Sequence, residues 1–130
     1  MDQLVSFEVA KLAKQKGFDG FTRHGFKEDG TELSYSGGLT HGWGEPQGYY
    51  YYNMEEGRYA RPTQTELQRW FRENYRLNVS TRYYEGKWKH YIQLMYEDRI
   101  KGYWGHEMDS YEAALESGLL EALKLIDNGK

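Results

Sequence analysis

Apolar side chains along this chain first recur at helical spacing, then lose any period, regain it, alternate in twos, and return to a long helical stripe. From Ser6 to Lys16, Phe7, Ala10 and Leu12–Ala13 fall about one turn apart with Val9 beside them, while Lys11, Lys14, Gln15 and Lys16 are polar. That spacing predicts an amphipathic helix packed on something larger. Ser6 can accept hydrogen bonds from the free N–H groups at its start, and Gly17 can take the left-handed conformation that ends it.

Two short runs follow, GFTRHGFK and TELSYS, separated by Glu28-Asp29-Gly30. Asp-Gly supplies the positive φ of a tight turn, so Phe18 to Tyr35 reads as a hairpin, with Gly25 marking a bulge in its first arm. Further on, Thr63 and Glu66 have capping-box spacing ahead of Leu67, Trp70 and Phe71. This predicts a second helix that opens at Pro62 and ends near Asn74.

The clearest alternation comes next. Leu77, Val79, Thr81 and Tyr83 share one strand face, Trp88, His90, Ile92 and Leu94 share another, and Glu85-Gly86 is the turn between them. Asp98 to Gly102 reads as a further turn, followed by a short strand at Tyr103-Trp104. Tyr111, Ala114, Leu115, Gly118, Leu119, Ala122, Leu123 and Ile126 form the stripe of a third helix, capped by Asp109 or Ser110. Gly118 inside that stripe costs about 1 kcal/mol of helix propensity against Ala, which implies a close approach of helix to sheet.

Helices and antiparallel strands in this order imply a single α+β domain over residues 1–130. The expected architecture is a small antiparallel sheet of two hairpins, with about three helices packed mainly on one face. One stretch, 34–61, has no period: SYSGGLTHGWGEPQGYYYYNMEEGRYAR. Long irregular inserts are uncommon in compact domains and are disproportionately binding loops, lids or linkers.

Composition narrows the function classes. Hydrophobic residues make up 38% of the 130, yet aromatics reach 17%, so a few large side chains can build the core. A net charge of -3 argues against coating DNA non-specifically, and any basic patch would have to be assembled by the fold. With no cysteine, disulfides, thiolate catalysis and thiol-held zinc are excluded. The opening residues lack a secretory-leader pattern and no segment reaches membrane-spanning length, so a soluble intracellular protein without membrane association is expected.

Three segments, VSFEVAKLAKQKGFD, PTQTELQRWFRENY and SYEAALESGLLEALKLI, together resemble a recurrent group of small uncharacterised proteins from phages and prophages of gut Bacteroidales. The shared features are caps and apolar helix faces, which mark lineage rather than chemistry. The resemblance implies a mobile-element setting in the bacterial cytoplasm and carries no catalytic residues or cofactor.

The residues themselves offer little catalytic chemistry. His24, His41, His90 and His106 lack ligand spacing, which favours polar-surface histidines over a metal site. Glu55-Glu56 and Glu107/Asp109 are paired carboxylates in loops, where solvation is the commoner role. The spaced glycines of the insert are not followed by the Lys-Ser/Thr of a phosphate loop. The expectation is a non-enzymatic protein with no cofactor and no metal.

Aromatic and basic residues stand above this background. Tyr35, Trp43, the run Tyr49, Tyr50, Tyr51 and Tyr52, and Tyr59 are interleaved with glycine and bracketed by Arg58 and Arg61. Arg82, Lys87, Lys89 and Tyr91, with Tyr84, fall on one hairpin face as a basic-aromatic strip. Core packing of these rings and contact with a ligand both remain open. The leading expectation is a binding module that contacts a host bacterial protein through the aromatic loop. The alternative is stacking of a nucleotide or single-stranded nucleic acid, and a monomer or homodimer is compatible with either.

Overall fold

The computed structural model describes residues 3–34, 52–95 and 100–126, with backbone only at 100 and 101. Its elements are α1 (Phe7–Gln15), β1 (His24–Lys27), β2 (Glu32–Ser34), a single 3-10 turn (Tyr52–Met54), β3 (Arg58–Arg61), α2 (Gln64–Tyr75), β4 (Leu77–Tyr84), β5 (Lys87–Met95), β6 (Ile100–Trp104) and α3 (Tyr111–Leu125). The α+β class stands. The hairpins do not share a sheet: each is part of its own three-stranded antiparallel sheet, ordered β2-β1-β3 and β4-β5-β6.

Local chemistry explains the helix boundaries. Ser6 accepts from the Val9 amide at the start of α1. At its end the Gly17 amide donates to Lys14 and the Phe18 amide to Ala13, with Gly17 at φ 99°, so paired bonds satisfy the last carbonyls. Thr63 and Glu66 form both halves of the capping box on α2. The cap of α3 is Ser110, whose hydroxyl accepts from Ala113. Glu116 of α3 joins the other two helices, accepting from the Ser6 amide and from Gln64 Nε2.

The first sheet absorbs the end of the stretch that has no period in sequence. Its central strand, β1, pairs with β2 on one side and β3 on the other in unbroken register, so Gly25 is not a bulge. Gly25 is a socket instead. A Cβ there would lie 2.8 Å from the ring of Tyr52, which is buried at the start of the 3-10 turn.

In the second sheet the alternation holds along both arms: Leu77 faces Leu94, Val79 faces Ile92, Thr81 faces His90 and Tyr83 faces Trp88. Glu85 and Gly86 adopt φ 51° and 82°, the doubly positive turn whose twist matches a two-residue hairpin. Ile100 to Gly102, expected as a turn, are instead part of β6, which pairs with β5 from Tyr91 to Met95. A glycine in the middle of that run disguised the strand.

Helix α3 packs its stripe on the inner face of β4 and β5 and against α1 and α2. Leu115, Leu119, Ala122 and Leu123 meet Val79, Ile92, Leu67 and Phe71 in one core shared with Val9 and Phe26. Gly118 allows the approach, since a Cβ there would lie 2.8 Å from His90 Cβ and 3.0 Å from Val79 Cγ1. No helix among the described residues is long and apolar enough to cross a membrane.

Candidate functional site

α3 covers one face of the second sheet, and on the opposite face the described side chains range from half-buried to exposed. Side chains directly opposite on antiparallel strands point the same way, so register fixes who meets whom there. Tyr84 faces Lys87, Arg82 faces Lys89, Ser80 faces Tyr91, and Tyr91 in turn faces Trp104 on β6. The basic-aromatic strip expected from the hairpin is assembled, and β6 adds a ring to it.

That ring is the most exposed tryptophan among the described residues. Trp104 keeps 59% of its surface accessible while packing on Tyr91, ring centroids 4.5 Å apart. Gly102 makes room for this arrangement, because a Cβ at that position would overlap the Tyr91 hydroxyl and Cζ. Tyr91 can therefore lie across β6 and back the tryptophan instead of standing upright.

Arg82 is held in place over the pair. Its guanidinium donates to Ser80 Oγ at 3.2 Å and to the Thr81 carbonyl at 3.0 Å, and sits 5.7 Å from the Tyr91 ring centre. Arg82, Tyr84, Lys87, Lys89 and Trp104, with Tyr83 and Glu107, line an open cleft of about 450 Å³. Lys87 is the most committed of the cations. It bonds to Asp109, which raises the lysine pKa and lowers that of the carboxylate. Arg82 and Lys89 make no ion pair among the described residues.

The candidates at the end of the aperiodic stretch sit in the first sheet, where most of their chemistry serves the scaffold. Tyr59 packs edge-on to Phe7 at 5.8 Å with Lys14 over its ring. Arg61 donates to the Val5 carbonyl at 2.7 Å, pairs with Glu32 at 3.3 Å and covers the Phe26 ring. Arg58 is half-buried on β3, its carbonyl accepting from Lys14. Tyr35, Trp43, Tyr50 and Tyr51 lie outside the described residues, as does His41.

His90 departs from the polar-surface expectation for the histidines. It is 5% exposed on the inner face, with the backbone of Gly105 against its ring, and its Nδ1 has no partner among the described residues. Burial lowers its pKa first, His106 acts in the same sense, and Glu121 opposes both. Among the described residues no group of three or more His, Asp or Glu side chains could hold a metal ion.

Trp104 is the site residue that sequence reading missed. The short strand expected at Tyr103-Trp104 is present, but the turn signal from Asp98 to Gly102 hid its first half and with it the register that pairs Trp104 with Tyr91. Comparison with protein-family models, with curated protein sequences and with solved structures finds no match to this chain.

Proposed function

We propose that this protein is a non-enzymatic binding module that stacks the bases of single-stranded nucleic acid on the water-facing side of β4, β5 and β6. The observation that carries the reading is Trp104, 59% exposed on a Tyr91 backing, with Arg82 and Lys89 beside it. Every base has a π-face, so an exposed ring gives affinity without sequence preference, and neighbouring cations hold the phosphates. A sheet face bearing two stacked aromatics and flanking basic residues is a recurring solution to single-strand recognition. The chain's overall charge of -3 does not oppose this, because Arg82 and Lys89 sit side by side on the face that carries the tryptophan. The phage setting belongs to the same proposal and rests on the sequence resemblance alone.

The test is fluorescence anisotropy with labelled single-stranded DNA and RNA at low ionic strength, for wild type and Trp104→Ala. Base–aromatic stacking is worth about 1–3 kcal/mol per base, so the variant should bind about tenfold more weakly or worse. Affinity should also fall as salt rises. Absence of wild-type binding to either polymer would remove the reading.

A further inference from the structure

The outer face does not stop at the Trp104 cleft. Beyond Ser80 and Tyr91 the next pair is Asn78 opposite Gln93, and these two line a second open cleft of about 350 Å³ with Arg72, Arg76, Met95 and, where the cleft reaches the start of β4, Leu77. Arg72 lies in the last turn of α2, and Arg76 is its left-handed cap at φ 53°. They are four residues apart at a helix C-terminus. Neither forms an ion pair among the described residues. Amide groups on Asn78 and Gln93 add neutral donors to the floor between them.

Along the strands, Asn78 is four residues from Arg82 and Gln93 four from Lys89. At a rise of about 3.4 Å per residue the Asn78–Gln93 floor of the second station stands roughly 14 Å from the Arg82–Lys89 pair. The tilted Tyr91–Trp104 ring pair lies between them in register. A mononucleotide can occupy one station but cannot bridge both.

We infer that the site is built for an oligonucleotide, with a second phosphate station at Arg72 and Arg76 reached only by a strand that first stacks on Trp104. This rests on the single-strand reading above and extends it from a stacking point to a track. The cations at its two ends account for its length, and the polar Ser80, Asn78 and Gln93 between them offer hydrogen bonds without blocking a strand.

A length series of single-stranded thymidine oligomers, from dinucleotide to octanucleotide, tests it against wild type, Trp104→Ala and the double variant Arg72→Gln/Arg76→Gln. Wild-type affinity should climb about tenfold or more between dinucleotide and octanucleotide, and the double variant should lose that climb while keeping wild-type affinity for the dinucleotide. Retained dinucleotide binding also shows that the variant is folded. For the octanucleotide the slope of log affinity against log salt should fall by about 1.4, the contribution of two phosphate contacts on a single strand. If wild type binds both lengths equally, or the double variant keeps the climb and the salt slope, the track is overturned while stacking at Trp104 stands. If no oligomer of any length binds wild type, the single-strand reading falls and the track falls with it.

Discussion

Acid should destabilise this fold through His90, and the size of the effect follows from where the ring sits. Neutral imidazole is tolerated between β5, the backbone at Gly105 and the Gly118 notch of α3, but a charged ring there gives up its water, and Nδ1 has no hydrogen-bond partner among the described residues. The facing groups are few. Glu121 on α3 favours the charged form, His106 after β6 disfavours it, and Thr81 across the hairpin is neutral. Burial is the largest influence, so the folded-state pKa lies below the unfolded value of about 6.5.

A group depressed in this way binds fewer protons in the folded chain than in the unfolded one. Stability is therefore complete above about pH 6.5 and declines as pH falls towards the folded pKa, below which the loss stops growing. Across that window the limiting slope is about 1.4 kcal/mol per pH unit. Set against a typical 5–15 kcal/mol for a domain, that limit caps the loss at roughly a tenth to a quarter of the total per pH unit.

Thermal and urea unfolding between about pH 7.5 and 5 should show stability falling with acid in wild type and a shallower fall in His90→Gln, which cannot titrate. The difference between the two curves cancels the other histidines and the carboxylates, which are common to both. Parallel curves would refute the reasoning. So would an NMR titration placing the His90 midpoint at or above about 6.5 in the folded protein.

Two glycine substitutions should part company. Gly118→Ala gains about 1 kcal/mol of helix propensity but pushes a methyl onto His90 Cβ and Val79, anchored atoms whose overpacking costs about 1–3 kcal/mol. A lowered melting temperature is expected, and a raised one would mean that α3 can lift from the sheet freely. Gly102→Ala meets only the far end of Tyr91, which can swing away. Stability should change by less than about 1 kcal/mol, the scale of an off-rotamer side chain, while oligonucleotide affinity drops because the backing of Trp104 is lost. Unchanged affinity with an undisturbed fold would show that the tryptophan needs no backing.

What could be read in advance was whatever repeats or is governed by local hydrogen bonding. Thr63 and Glu66 announce their cap because both halves are three residues apart in the chain, and Leu77 to Leu94 announce their hairpin through a two-residue period that only a strand can use. Long-range partners stayed hidden. Nothing near Gly25 says that Tyr52 will fill its missing side chain, and nothing near Arg61 says that Val5 and Glu32 will claim its guanidinium. The strip of Arg82, Lys89 and Tyr91 was legible because it lies within one hairpin, whereas Trp104 comes from the next strand behind a glycine that resembles a turn.

Both anchors of the 35–51 stretch belong to the first sheet: β2 ends at Ser34, and the described chain resumes at Tyr52, wedged on Gly25. The register of β4 to β6 is set elsewhere, by the Glu85-Gly86 turn and the docking of α3. The cross-strand pairs of the basic face thus hang on a two-residue turn and a helix, neither of them part of the first sheet. A lineage, or a protein engineer, could recolour the charge pattern of that face at Arg82 or Lys89 without touching what aligns its strands.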